Sequence, residues 1–486
     1  MPERSYKPLL WLLLVTCIAC FWIPLLSESF WGDETVTAFV LRHGATHPSM
    51  AASARLDQTI YYWLPQISQT MFGFSEFSLR LPSLVVMLVS LWVMGRIAAR
   101  FIHPDAAWFV VFLGFIPHEF TRQATDARPY GLGTCVAVIA IWLLIRWMDQ
   151  GGWRDGVLFV LFASLLLRVH LIYWPFYVVF GCYSLLRWLR RETPVSGRWL
   201  VAAWAVTFAS LVPLVPVTLE LFRTAKVFVA IPLPGVSNIL SGFQIPLVGG
   251  ICAGFWILAR VFRWQRGGVS VSLPGVVLLL IWWLWQPFSL LAGSWITGDS
   301  VFQPRYFALA LPGTMLVCTL IAALFIPVRA WKPVALVLAI GVLSFHFAKE
   351  FPPSRNSHWR EAAARVNSLT RDSDMPVVCL SPFVEAKPPA WVPDYPLPGF
   401  IYSHLDAYPI HAATVLLPNH LEPQGEQYAE AALRDRVLSK GRFLVYGGVY
   451  DVNLWTQWIA AQSELAGWTH HPVGFFGDVE VVTFQR

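Results

Sequence analysis

Two adjacent carboxylates, Asp33 and Glu34, stand in the stretch Ser29-Phe30-Trp31-Gly32-Asp33-Glu34-Thr35. A carboxylate can take the proton from an attacking hydroxyl. Other ionisable residues recur far along the chain: Asp57, Arg122, Asp126, Arg128, Arg168, His170 and Arg305. Guanidinium groups match phosphate oxygens in shape and charge, so arginines can neutralise a phosphate leaving group. The joint pattern suits a transfer reaction with a hydroxyl nucleophile, in which electrostatic stabilisation often contributes most to the rate.

Each residue also has a plainer reading. Asp33 can cap a helix over 34–42, with Glu34 adding favourable charge to its first turn. Asp126 and Arg128 can pair only with each other, and Arg122 and Arg168 can meet lipid headgroups. Arg128 and Arg305 can be interfacial anchors, and His170 can be purely structural.

The elements that carry these residues are apolar. The chain of 486 residues is 56% hydrophobic and 13% charged, with a mean hydropathy of +0.55. Soluble domains carry about a quarter charged residues. Repeated apolar runs of about twenty residues predict a polytopic α-helical membrane protein. The net charge of +6 comes largely from arginines near span ends, as the positive-inside rule places them, and implies membrane lipids rather than nucleic acid as surroundings. Seven cysteines show neither metal-ligand spacing nor a disulfide framework.

Arg4 and Lys7 precede the first span, Pro8–Leu26, which places the N-terminus inside. Residues 27–79 then form an external loop with helical pieces at 35–42 and 58–72. The second is aromatic, interrupted by Pro65, and suits the membrane interface. Alternation of apolar runs with basic loops near Arg96, Arg190, Arg263 and Arg329 gives about eleven spans and an external C-terminus. Asp33, Asp57, Arg122, Arg128, His170 and Arg305 then fall on one side of the membrane. Composition changes near Lys349, which divides the chain into a membrane domain at 1–349 and a small external α/β domain at 350–486. Helices are expected over 358–369 and 452–466, strands over 376–380 and 442–446, and an irregular proline-rich loop over 382–398.

Phe30-Trp31-Gly32-Asp33-Glu34 after the first span resembles the first-loop acidic motif of the GT-C membrane glycosyltransferases. Within that class the chain is similar to the dolichyl-phosphate-mannose protein mannosyltransferases and their bacterial relatives, the lipid A aminoarabinose transferases. Asp57-Gln58-Thr59-Ile60-Tyr61-Tyr62-Trp63 and Phe72-Gly73-Phe74-Ser75-Glu76-Phe77-Ser78-Leu79-Arg80-Leu81-Pro82-Ser83 resemble the rest of that loop and the entry to span two. Ala127-Arg128-Pro129-Tyr130 resembles the Arg-x-Tyr element, and Pro304-Arg305-Tyr306 a late-span element. His358-Trp359-Arg360-Glu361-Ala362-Ala363 resembles the opening of the external domain in bacterial members. One departure is Gln58, which stands where aminoarabinose transferases have a lysine that contacts the donor phosphate.

The resemblance implies a GT-C fold and an inverting transferase. Its donor would be a sugar on a polyprenyl phosphate, and its acceptor a hydroxyl of a lipid, glycan or protein. The reaction would take place on the periplasmic side of a bacterial inner membrane. Asp33 would be the base, with Glu34 beside it in the catalytic pair. Asp57, Tyr61, Arg128, Tyr130, Arg305 and Tyr306 would bind substrate, with Arg122, Asp126, Arg168 and His170 as further candidates. No cofactor is implied, and a divalent cation is left open. A lipid-phosphate-binding flippase or transporter without transferase activity would use the same arginines.

Overall fold

The computed structural model describes residues 6–44, 47, 59–220, 232–264, 271–298, 300–383, 386, 399–419 and 421–486. Asp57, Gln58 and the proline-rich stretch 388–395 lie outside these residues.

Most of the first two thirds of the chain is helical. By length and composition, six described helices can cross a membrane: Lys7–Ser27, Glu76–Phe101, Tyr130–Gln150, Gly197–Glu220, Leu273–Thr297 and Val328–Lys349. A seventh arises if Val236–Gly242 and Ile245–Val261, bent by 62°, count as one span. The apolar runs at 106–116, 157–167, 172–186 and 307–326 form shorter helices, Ala106–Leu113, Trp153–Val169, Phe176–Leu189 and Ala310–Ala323. Those helices account for the gap between six or seven and about eleven, because apolar length alone does not separate a span from a helix buried among spans.

Three local devices bring the ionisable residues toward one place. The helix Gly32–His43 starts at Trp31, whose N–H is accepted by Glu34 Oε2 at 3.2 Å. The capping role read for Asp33 therefore belongs to Glu34. Helix Glu76–Phe101 opens on a reciprocal box: Ser75 Oγ accepts from Ser78 N–H at 3.1 Å, and Ser78 Oγ accepts from Ser75 N–H at 3.0 Å. Pro129 precedes helix Tyr130–Gln150, and Gly133 in its first turn lies against the Tyr173 ring. A Cβ at Gly133 would stand 2.2 Å from that ring, so only glycine lets the start of this helix approach the His170–Tyr173 segment so closely. Helix Trp63–Phe72 carries Pro65 near its start rather than as an interruption; the missing N–H has no helical partner there in any case.

Five strands follow: β1 (Val377–Leu380), β2 (Thr414–Leu417), β3 (Arg442–Gly448), β4 (Thr469–Phe476) and β5 (Val479–Gln485). Their order is β2-β1-β3-β5-β4; β1 runs parallel to β2 and β3, while β5 is antiparallel to β3 and β4. All four residues of β1 are buried, as expected of a parallel strand covered on both faces. One face packs Trp359, Ala362 and Val366 of helix Trp359–Thr370 onto Val377, Cys379, Leu444 and Val481. Ala429 and Leu433 of Pro423–Arg436, with Val452 and Trp455 of Val449–Ala460, cover the other.

Helix Gly32–His43 is wedged between this α/β unit and the membrane helices. Val36, Phe39 and Val40 pack with Phe400, Ile401 and Tyr402. Thr35 Oγ1 lies 2.7 Å from Ser403 Oγ, and Asp406 faces His43 and Arg42 at 2.8 and 3.3 Å. Tyr408 Oη accepts from Phe30 N–H at 2.8 Å and donates to Glu76 at 2.9 Å. The helix that carries the carboxylate pair is thus held from both sides.

Candidate active site

Asp33 and Glu34 leave the same helical turn into different surroundings. Asp33, 21% exposed, lies 2.6 Å from Arg305 Nη1 and 3.7 Å from Arg128 Nη2 through its Oδ2. Arg128 also donates to the Asp33 carbonyl at 3.0 Å. Burial works most strongly against the Arg128 charge, but Asp33 together with Tyr130 and Tyr62 outweighs it and pushes the guanidinium pKa further up. One carboxylate and two arginines from segments 95 and 272 residues away in sequence therefore converge, as the sequence led one to expect. The plainer alternative, Asp126 paired with Arg128, does not form; Asp126 pairs with Arg355 and Arg122.

Aromatic rings wall this cluster. Tyr130 stacks on His170 with centroids 6.0 Å apart and meets Tyr306 at 6.5 Å. The Arg305 guanidinium lies 5.3 Å from the Tyr306 ring. Tyr61 is fully enclosed close by, within electrostatic reach of Arg128. Burial, then the charges of Arg128 and Arg305, push the His170 pKa down to about 3. Its ring is therefore neutral at physiological pH, and Nδ1 accepts from Ile172 N–H at 3.2 Å.

Glu34 is completely buried and sits in a second, sealed layer. Arg80, also without exposure, grips it with Nε at 2.8 Å and Nη2 at 2.5 Å. Ala127 N–H donates to Oε1, the oxygen that also accepts from Arg80 Nε, at 2.6 Å. Arg80 further donates to the carbonyls of Leu25, Leu26, Glu28 and Ser29, at the end of the first apolar helix. Burial opposes ionisation of Glu34, yet Arg80, Arg355 and the Ala127 N–H outweigh it and hold its pKa well below the usual carboxylate range. Both oxygens of this carboxylate are thereby taken, Oε1 by Arg80 and Ala127 and Oε2 by Arg80, Trp31 and Arg355.

The remaining candidates divide. Asp126 joins the sealed layer, 2.6 Å from Arg355 and 3.6 Å from Arg122. Arg122 lies over the Trp31 ring at 4.8 Å and pairs with Glu119 at 3.6 Å. Arg168 turns elsewhere and donates to the Ser210 carbonyl at 2.6 Å, tying two helices together. Arg80 and Arg355 were not singled out from the sequence. The signal for Arg80 was a charge at the mouth of an apolar helix, a costly position unless paired; Arg355, in a polar linker, gave none. Among the described residues no three His, Cys, Asp or Glu side chains are grouped to hold a metal ion.

Residues 59–219 match the family model described as dolichyl-phosphate-mannose-protein mannosyltransferase. The crystal structure of apo ArnT from Cupriavidus metallidurans superposes with a TM-score of 0.56 at 13% identity, covering 99% of this chain and 98% of that one. The structure of that ArnT bound to undecaprenyl phosphate gives 0.51 at 12% identity, with the same coverages. The protein has the GT-C fold of ArnT. No curated protein matches the chain. The family match contains Arg128, Tyr130 and His170 but ends before Arg305 and begins after Asp33. The carboxylate–arginine cluster therefore unites matched and unmatched segments.

Proposed function

We propose that the protein is an inverting glycosyltransferase that moves a sugar from a polyprenyl-phosphate donor to an acceptor hydroxyl at the outer face of a membrane. The observation that carries this reading is the convergence of Arg128 and Arg305 on Asp33. Two guanidiniums on one carboxylate leave a cationic surplus matched to a phosphate anion. When the donor phosphate takes up these arginines, the Asp33 carboxylate is released from its ion pairs and can accept a proton. The acceptor oxygen then attacks the anomeric carbon as the bond from that carbon to the phosphate oxygen breaks. The hydroxyl proton passes to Asp33, and the electron pair leaves with the phosphate, whose charge Arg128 and Arg305 balance. Tyr130, Tyr306 and Tyr61 line the donor side, and a neutral His170 adds no competing cation.

The ArnT structure that shares this fold was solved with undecaprenyl phosphate, which favours a lipid-borne donor here. On this reading, residues 27–79 and the α/β unit lie on the periplasmic side of a bacterial inner membrane, with the α/β unit at 350–486 as a domain of its own. Arg122 and Asp126 are then supports, and Arg168 stands outside the chemistry. Asp57 keeps its place as a proposed donor contact.

The test is transfer by the purified protein in lipid nanodiscs from a panel of polyprenyl-phosphate sugars, with the anomeric configuration of the product determined. Inverted product that disappears in Asp33→Asn is the expected result. Tight polyprenyl-phosphate binding without transfer from any donor or to any acceptor of the panel would replace it with the binding or flippase reading.

A further inference from the structure

The sealed layer contains one residue that the transfer chemistry does not use and that comes from the far end of the chain. Arg355 is 12% exposed and inserts between two segments of the membrane part. Its Nη1 lies 2.6 Å from Asp126 Oδ1 and 3.4 Å from Glu34 Oε2. Its Nη2 donates to Thr125 Oγ1 at 2.9 Å and to the Thr125 carbonyl. Glu34 is bonded directly to Asp33, and Asp126 stands two residues before Arg128. A single guanidinium therefore bridges the segment that carries the carboxylate and the segment that carries the phosphate-binding arginine.

The backbone behind Arg355 is fixed to the α/β sheet. Ser357 Oγ donates to Asp478 Oδ2 at 2.6 Å, and His358 N–H donates to the Phe476 carbonyl at 3.3 Å. Ser357 also bridges Gly477, in the turn between β4 and β5. Gly477 has φ +67°, and a Cβ there would overlap the Asn356 carbonyl oxygen at 1.6 Å. This close approach seats the Arg355 segment directly on the β4–β5 turn. A continuous path thus runs from the sheet, through Asn356 and Ser357, to Arg355 and on to both halves of the cluster.

We propose that Arg355 is a positioning residue through which the α/β unit sets the spacing between Asp33 and Arg128. What that spacing serves rests on the transferase reading above. The base acts on the attacking hydroxyl and the phosphate clamp on the leaving oxygen, on opposite sides of the anomeric carbon, so their separation must suit the transition state. A displacement of about 1 Å can cost about 10²-fold in rate.

The experiment compares Arg355→Lys and Arg355→Gln with the wild type, in kcat, donor KM, thermal stability and hydrogen exchange. Lysine keeps the charge but loses the planar fork that meets Asp126, Glu34 and Thr125 together. Expected is a fall in kcat of roughly 10–100-fold with donor KM little changed, and milder in Arg355→Lys than in Arg355→Gln. Exchange should rise at residues 32–36 and 125–129 while the sheet stays protected. A lower thermal midpoint with kcat per folded molecule unchanged would reduce Arg355 to domain docking and overturn the proposal. If the wild type transfers no sugar, the transferase reading fails by itself, and exchange alone decides the positioning role. Unchanged protection at either segment, or loss spread over the sheet as well, then overturns it.

Discussion

Asp33 and Glu34 are neighbours in sequence, equal in chemistry and opposite in circumstance. The layer around Asp33 is partly open, with one carboxylate shared by two arginines. The layer around Glu34 is closed and balanced, with Glu34 and Asp126 set against Arg80 and Arg355. An unbalanced, accessible cluster can exchange its ion pairs for a ligand's. A balanced, buried one resists exchange, because removing either partner strands a charge away from water. Two adjacent residues of one helical turn therefore lie in layers of opposite character.

The largest expected effect breaks the open layer. Asp33→Asn should lower kcat by roughly 10²–10⁴-fold, the usual worth of a positioned general base, with thermal stability near that of the wild type. Near-normal turnover combined with a loss of about 1 kcal/mol in stability would make Asp33 a helix-end residue after all. Glu34→Gln should behave in the opposite way. It leaves Arg80 buried against a neutral amide and should destabilise the fold by about 3–5 kcal/mol, read as a lower unfolding midpoint in detergent. If Glu34→Gln folds normally and is inactive, the two carboxylates have exchanged roles.

Much of this contrast was not legible in the sequence. The acidic motif, the Arg128 and Arg305 elements, and helices near 35–42 and 358–369 could be read, because residue type and local periodicity carry them. Nothing local distinguishes Asp33 from Glu34; the difference is made by Arg80, 46 residues on, and Arg355, 321 residues on. The sheet was read only in part for a related reason. β1 and β3 are buried apolar runs, whereas β4 includes His470, His471, Pro472 and Gly474 and is mostly exposed at the sheet edge. β2, as short as β1, lies at the other edge of the sheet and is only alternately buried. Arg168 shared residue type and expected depth with Arg128, and only the packing of helix Gly197–Leu211 beside it reveals its bond to Ser210.

A smaller effect sharpens the comparison within the open layer. Arg305 makes the shorter contact to Asp33 and is the more exposed arginine, 27% against 10% for Arg128. Arg305→Ala should weaken donor binding by about 1.5–3 kcal/mol, the range for a hydrogen bond to a charged group. Arg128→Lys keeps the charge and loses the fork, so its loss should be smaller. Titration with a polyprenyl phosphate in nanodiscs reads both. Unchanged affinity in the two variants would move the phosphate away from Asp33.

A dependence on pH separates holding from reacting once more. His404 in the α/β unit is fully buried among the rings of Trp359, Tyr402 and Tyr446, and neither ring nitrogen has a hydrogen-bond partner among the described residues. Burial pushes its pKa down to about 3, close to that of His170. For such a histidine the unfolded chain takes up the proton first. Its contribution to stability is complete above the unfolded value of about 6.5 and is lost as pH falls from there toward 3. Each of the two histidines should then withdraw about 1.4 kcal/mol per pH unit below 6.5. Glu34, with its depressed pKa, adds to the loss only below the usual carboxylate range near 4.5, where the unfolded carboxylate begins to bind protons. Unfolding midpoints measured from pH 7.5 to 4.5 should therefore fall, and His404→Phe, which keeps the ring packing, should flatten the slope without altering transfer at neutral pH. An identical slope in His404→Phe would mean that this ring takes up its proton without unfolding. The acid sensitivity would then belong to His170 and the open layer, not to the α/β unit that holds it.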